Sequence, residues 1–162
     1  QLLPSWVIYA FTFGLIYQGF HYLEHLVQLY QHAILNISQL HAHGALFFLD
    51  LEWNHFAFNI IYFIALAILC FYVMRAARAS GSLLTLMPIL LMIGTAVASW
   101  HAIEHTARIF QHIASGCEPC LGIGGYYFDI IYLHSVYNSQ VFLIPLITYF
   151  IGGFHRRFWQ LL

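Results

Sequence analysis

Charged side chains are scarce in this 162-residue sequence, and lysine is absent. Only 7% of the residues are charged, 62% are hydrophobic, and the mean hydropathy is +0.77. Soluble domains carry about a quarter of charged residues, so this composition excludes an ordinary soluble fold. The length is sufficient for about four helical spans of roughly 20 residues each. We therefore expect one integral membrane domain over residues 1–162, which contacts the lipid bilayer and has no nucleic-acid partner.

The sequence also lacks the alternation of polar and apolar residues that is typical of barrel strands, and its unbroken apolar runs favour helices. We predict four spans, at about residues 6–25 with a helical continuation to 36, at 55–74, from 83 to beyond 101, and at 132–154. Arginines follow the second and fourth spans, at Arg75, Arg78, Arg156 and Arg157. The positive-inside rule then predicts a multi-pass protein of the cell membrane with both termini in the cytoplasm.

Two polar motifs interrupt the apolar runs and match each other. HYLEHLVQLYQH (21–32) and HAIEHTARIFQH (101–112) share the pattern H-x-x-E-H, followed at the same distance by Q-H. A shift of 79 or 80 residues also aligns three later pairs, Asp50 with Asp129, His55 with His134, and Asn59 with Asn138. Because each copy holds two spans, both copies run in the same direction through the membrane. The sequence predicts an all-α four-helix bundle of two parallel two-helix repeats, at about 1–78 and 80–158.

The ionisable residues of this repeat are expected to lie at one depth. Residues at i, i+3 and i+4 share a helix face, and counting about twenty residues from each cytoplasmic end reaches the same layer on all four spans. We predict a transition-metal site there with eight candidate ligands, His21, Glu24, His25, His55, His101, Glu104, His105 and His134. Copper is favoured because the layer is rich in histidine and faces outward, while iron and zinc are alternatives. The motif is not H-E-x-x-H, which argues against a zinc protease.

Further polar residues surround this layer. Asn59 and Asn138 lie one turn below His55 and His134 and are candidate partners of the ligands. An outer ligand layer is predicted from His32, Asp50, His112 and Asp129, or the two aspartates cap the second and fourth spans instead. Cys117 and Cys120 form a C-x-x-C motif in an outward loop, where a disulfide is expected and capture of a soft metal is the alternative.

Several functions are compatible with this pattern. The first is a copper or di-iron oxidase or monooxygenase, or a subunit of such a complex. The second is a haem b electron-transfer subunit, in which paired histidines are axial ligands but the two glutamates have no evident role. The third is a metal-handling protein, which the apolar cytoplasmic halves of the spans disfavour. As a structural alternative, the His–Glu pairs only join the helices. The small chain also predicts other membrane subunits as partners.

Overall fold

The computed structural model describes residues 3–46 and 51–162. Within these ranges the protein is α-helical and contains no strand. The helices are α1 (Ser5–Ala33), α2 (Glu52–Ala79), α3 (Leu86–Ser115), α4 (Ile130–Ile151) and the short α5 (Phe154–Trp159). One 3₁₀ turn, Gly124–Tyr126, precedes α4. The all-α prediction is therefore confirmed.

Three helices in the described ranges, α2, α3 and α4, are long and apolar enough to cross a membrane. Only 28%, 33% and 39% of the residues in their most apolar windows are buried inside the protein. Large apolar side chains such as Phe71 and Ile61 instead face outward, as expected of a surface that lipid covers. These helices indicate a membrane protein. Helix α1 has sufficient length at 29 residues, but polar residues such as Gln18 and His21 interrupt it, and its crossing stays a prediction.

The helix ends differ from the predicted spans by a few residues. Helix α1 ends at Ala33 rather than near residue 36, whereas α3 continues to Ser115. The fourth span was predicted to reach residue 154, but α4 ends at Ile151. The reason is Gly153, whose φ of 66° is the left-handed conformation that glycine adopts readily and other residues do not. The chain then starts α5 in a new direction.

Helices α1 and α3 each pack against α2 and α4. The halves of the long helices that lie nearest α5 form an apolar core, whose buried members include Val7, Phe11, Leu66, Leu69, Leu91 and Phe154. Phe11 packs edge-on against Tyr149 and Phe154, with ring centroids 5.3 and 5.2 Å apart. Such edge-to-face contacts add to the stabilisation that burial provides.

A proline inside α4 is compensated from the neighbouring helix. Pro145 has no N–H and cannot donate to the carbonyl of Val141, four residues earlier. The hydroxyl of Tyr62 donates to this carbonyl at 3.2 Å. A free carbonyl in the core of a membrane protein would be costly, so the cross-helix bond stabilises the packing of α2 against α4.

The buried face of each long helix changes from apolar to polar along its length. On α1 the buried residues run from Val7 to Leu15 and then continue as Gln18, His21, Glu24, His25 and Gln28. These positions follow the i, i+3, i+4 spacing of one helix face. Helix α2 buries Glu52, His55 and Asn59, α3 buries His101, Glu104, His105 and Arg108, and α4 buries His134 and Asn138. Four helices thus contribute polar side chains to one buried region.

Candidate metal centre

Three histidines from α1 and α2 meet in this buried region. His21, His25 and His55 are each at most 3% exposed, and each offers a ring nitrogen within 4.8 Å of the other two. The Nε2 atom of His25 lies 3.2 Å from Nε2 of His21 and 3.3 Å from Nε2 of His55. Two imidazole nitrogens on one tetrahedral zinc-like ion, at about 2.0–2.1 Å from it, are roughly 3.3 Å apart. The three-histidine group can therefore hold a metal ion.

The ring of His25 is oriented for such a role. Its Nδ1 lies 2.7 Å from Oε1 of Gln28, one turn further along α1. The amide oxygen is an acceptor, so Nδ1–H donates to it and the Nε2 lone pair is left facing the other two rings. Ligand imidazoles commonly donate their second ring N–H in this way, which fixes the tautomer and increases the basicity of the ligand nitrogen.

A second set of three histidines, from α3 and α4, lies beside the first. The ring centroids of His101 and His105 are 4.6 Å apart with an interplanar angle of 85°, the same values as for His21 and His25. His105 and His134 are 5.2 Å apart, as are His25 and His55. Neither ring nitrogen of His101 or of His105 has a hydrogen-bond partner in the part of the chain that the structure describes. Each unsatisfied buried group costs about 1–3 kcal/mol, so these rings are suited to a ligand.

The two sets contact each other. His55 stacks on His105 with centroids 5.4 Å apart and an interplanar angle of 2°, and His25 lies 5.9 Å from His134. All six predicted histidines thus belong to one cluster. Its two halves are not equivalent, because the ring nitrogens of His134 are already engaged. Nδ1 of His134 donates to the carbonyl of Ile130 at 3.0 Å, and Nε2 accepts from Nη1 of Arg108 at 2.8 Å.

Arg108 was not among the predicted site residues, yet it lies inside the cluster. Its Nε donates to Oε1 of Glu52 at 3.1 Å, and its Nη2 donates to the same oxygen. Arg108 is 4% exposed and Glu52 is 1% exposed. Both charges are therefore removed from water, and each charge is compensated by the other. The backbone N–H of Cys120 also donates to Oε1 of Glu52, at 2.8 Å, which joins the loop before α4 to this ion pair.

Glu24 and Glu104 are buried next to the histidines but bond to the loops. Oε1 of Glu24 accepts from the N–H of Leu46 at 2.7 Å. Oε1 of Glu104 accepts from the N–H groups of Ile123 and Gly124 at 2.9 and 3.0 Å. Each carboxylate thus fastens the loop that follows its own helix. Their roles as metal ligands, or as groups that orient ligand rings, stay predictions.

The two predicted asparagine partners bond to backbone. Nδ2 of Asn59 donates to the carbonyl of His55 at 2.8 Å, and Nδ2 of Asn138 donates to that of His134 at 3.0 Å. Oδ1 of Asn138 accepts from Gln18 at 3.1 Å, which links α1 to α4 just below the histidines. These bonds support the helix turns that carry His55 and His134.

The residues of the predicted outer layer have structural partners. Nε2 of His32 pairs with Oδ2 of Asp129 at 3.1 Å, and its Nδ1 donates to the carbonyl of Ile37 at 2.7 Å. The other oxygen of Asp129 caps α4 by accepting from the N–H groups of Ile131 and Tyr132. Nδ1 of His112 donates to the carbonyl of Cys117 at 2.7 Å. Asp50 lies outside the described residues.

Cys117 and Cys120 are joined by a disulfide in the loop between α3 and α4. This loop contacts α2, because the side chain of Glu118 accepts from the N–H of Glu52 at 3.3 Å. The small loop that the disulfide closes therefore lies at the start of α2, next to the ion pair.

Two residues that the sequence reasoning missed, Gln28 and Arg108, had a signal in the sequence. They occupy matching positions under the shift of 80 residues, seven residues after His21 and His101. A spacing of seven returns to the same helix face, so the motif extends one more turn than H-x-x-E-H. Glu52 had no comparable signal, since its role depends on α2 packing against α3.

Comparison with family models, with curated proteins and with solved structures gives no match for this chain. The interpretation of the site therefore depends on its own chemistry.

Proposed function

We propose that the chain is a membrane-embedded metal-binding redox protein, an oxidase or monooxygenase of the copper or di-iron type or a subunit of one. The observation that carries this proposal is the three-histidine group, with Nε2 atoms 3.2 and 3.3 Å apart and a donated Nδ1–H on His25. An all-imidazole ligand set suits copper and is also compatible with zinc and iron. The ion would be bound by His21, His25 and His55, and it would supply electron transfer or oxygen chemistry.

The packing of the rings favours a bare ion over haem b. Haem b would need a porphyrin-sized gap between the helices at the level of the histidines, whereas the cavity that His25, His55 and His134 line has a volume of about 20 Å³. The neighbouring histidine rings of the cluster have centroids only 4.6–5.9 Å apart. A metal-handling role is disfavoured by the apolar core toward α5, since a translocated ion needs polar groups along its path.

We also propose that α1 to α4 form a four-helix bundle of two parallel repeats. Matching hydrogen bonds support this. Gln31 exchanges two hydrogen bonds with Gly44, and Gln111 exchanges two with Gly122. The proposed orientation, with both termini cytoplasmic, follows from the arginines, and the small size of the chain supports partner subunits in the membrane.

Substitution of one ligand tests the metal site. The full chain is purified in detergent, and its copper, iron and zinc contents are measured together with optical and electron paramagnetic resonance (EPR) spectra. We expect His25→Ala to lower the metal content by the ion that the three-histidine group binds, because two remaining imidazoles bind a metal weakly. His155→Ala, which removes a histidine within α5, should keep the metal.

Two results would contradict this proposal. An unchanged metal content in His25→Ala would mean that the histidines only join the helices. A Soret band that His25→Ala removes would establish the haem alternative.

A further inference from the structure

A small cavity lies between the three-histidine group and Arg108. It has a volume of about 20 Å³, and His25, His55, His134 and Arg108 are among its lining residues. Ala42 and Pro119, from the two loops, line it as well. A site needs roughly 10–15 Å³ to hold one water molecule, so this cavity accepts one ligand of about that size.

The charges around the cavity favour an anion. Three neutral imidazoles leave the charge of a bound metal ion uncompensated. None of the described residues that line the cavity is a carboxylate, and Arg108 is the charged side chain among them. An anion in the cavity would therefore lie beside Arg108, with no described carboxylate at the cavity wall to repel it.

Arg108 lines the same cavity and has more donors than the bonds described above use. A guanidinium carries five N–H groups. Three of its nitrogens each make one bond described above, Nε and Nη2 to Glu52 and Nη1 to His134. Nη1 and Nη2 each have a second N–H, and hydrogen bonds from a charged donor to an anion are stronger than neutral ones.

We propose that this cavity binds a small monovalent anion, of the size of hydroxide or fluoride, between the metal ion on the three-histidine group and the guanidinium of Arg108. The inference rests on the proposed metal site and adds to it a ligand class and a residue, Arg108, that selects for it. The cavity limits the size of the ligand, and the guanidinium of Arg108 favours a negatively charged one.

Fluoride binding to the copper-loaded chain tests this. The full chain is loaded with Cu²⁺ in detergent, its copper content is measured, and sodium fluoride is titrated while EPR records the splitting that a fluorine nucleus on copper produces. We expect saturable binding, weaker by about tenfold or more in Arg108→Gln, because a charged hydrogen bond is lost. The double variant Arg108→Gln/Glu52→Gln, which leaves no buried charge unpaired, should show the same loss. Arg156→Gln, on exposed α5, should bind fluoride within about twofold of the unsubstituted chain.

The outcomes separate the two proposals. Failure of the unsubstituted chain to bind copper would overturn the proposed function together with this inference. Copper binding with equal fluoride affinity in the unsubstituted chain and the double variant would overturn this inference alone. So would thiocyanate binding as tightly as fluoride, because thiocyanate exceeds the cavity.

Discussion

Glu52 is the residue on which the charge balance of the cluster depends. It is 1% exposed and accepts from Arg108 and from the backbone of Cys120. Replacing one member of a buried ion pair leaves the other charge without compensation. We expect Glu52→Gln to lower the free energy of unfolding by about 3 kcal/mol, a fall of roughly 6–12 °C in Tm. Thermal unfolding in detergent micelles measures it.

Glu118 provides the matched control for Glu52. It is the same residue type, lies on the exposed loop and accepts one long bond from the N–H of Glu52. Glu118→Gln should change stability by less than about 0.5 kcal/mol. The double variant Glu52→Gln/Arg108→Gln should recover part of the loss, because both charges are then removed. If Glu52→Gln is as stable as Glu118→Gln, the ion pair does not stabilise the fold.

At the residue scale, the histidines could be predicted and their partners only in part. The i, i+3, i+4 spacing and the repeat place all six rings on facing helix surfaces, and they do lie together. Arg108 lies on the same helix face as His101, but the H-x-x-E-H pattern does not include it. The inequivalence of His55 and His134 was not predictable, since it depends on which side chain reaches each Nε2 atom, His25 in one half and Arg108 in the other.

At the scale of elements, the loops that follow α1 and α3 are held to these helices by the buried glutamates Glu24 and Glu104. Gly44 and Gly122 lie against these carboxylates, with φ values of 73° and 69°. A Cβ atom on either glycine would overlap Oε1 of Glu24 or of Glu104. The loops therefore require glycine for two reasons, its left-handed backbone and the absence of a side chain.

Substitution of Gly122 and of a second left-handed glycine, Gly116, separates the backbone strain from the overlap with the carboxylate. Gly116 has a φ of 70°, nearly that of Gly122, but a Cβ atom there would meet nothing within 4 Å. Gly116→Ala thus carries the backbone strain alone. We expect Gly122→Ala to cost about 1–3 kcal/mol more than Gly116→Ala, because Glu104 must move away from its loop amides. Thermal unfolding of both variants measures the difference. Equal losses would show that Glu104 does not hold the loop.

The helices were more predictable than the loops. Apolar runs of sufficient length identify α2, α3 and α4 from sequence, with errors only at their ends. The bonds from Glu24 and Glu104 to the loops were missed, because they depend on backbone conformations that hydropathy does not report. The aspartate cap on α4 was recognised as an alternative, since Asp129 directly precedes the helix.

At the scale of the whole molecule, orientation is open to a direct test. The arginines predict that the loop with Cys117 faces outward. After mild reduction of the disulfide in intact cells, a membrane-impermeant thiol reagent added outside should label Cys117 and Cys120. The Cys117→Ser/Cys120→Ser variant, which keeps Cys70 within α2, is the control and should stay unlabelled. Labelling that needs permeabilised cells would reverse the orientation.

The one-sided arrangement of polar residues would govern how a metal ion bound by the histidines exchanges with solution. From His21 back to the start of α1 at Ser5 is about 24 Å of helix, and the neighbouring core is filled by side chains such as Phe11 and Leu66. Chelators and metal ions should reach the histidines more readily past the loops, because Gln39, Ala42 and Pro119 from the loops line the cavity beside His25. In sealed vesicles, a chelator that cannot cross lipid should remove the metal when it is added on the side that the loops face. It should leave the metal in place when it is added on the side that α5 faces.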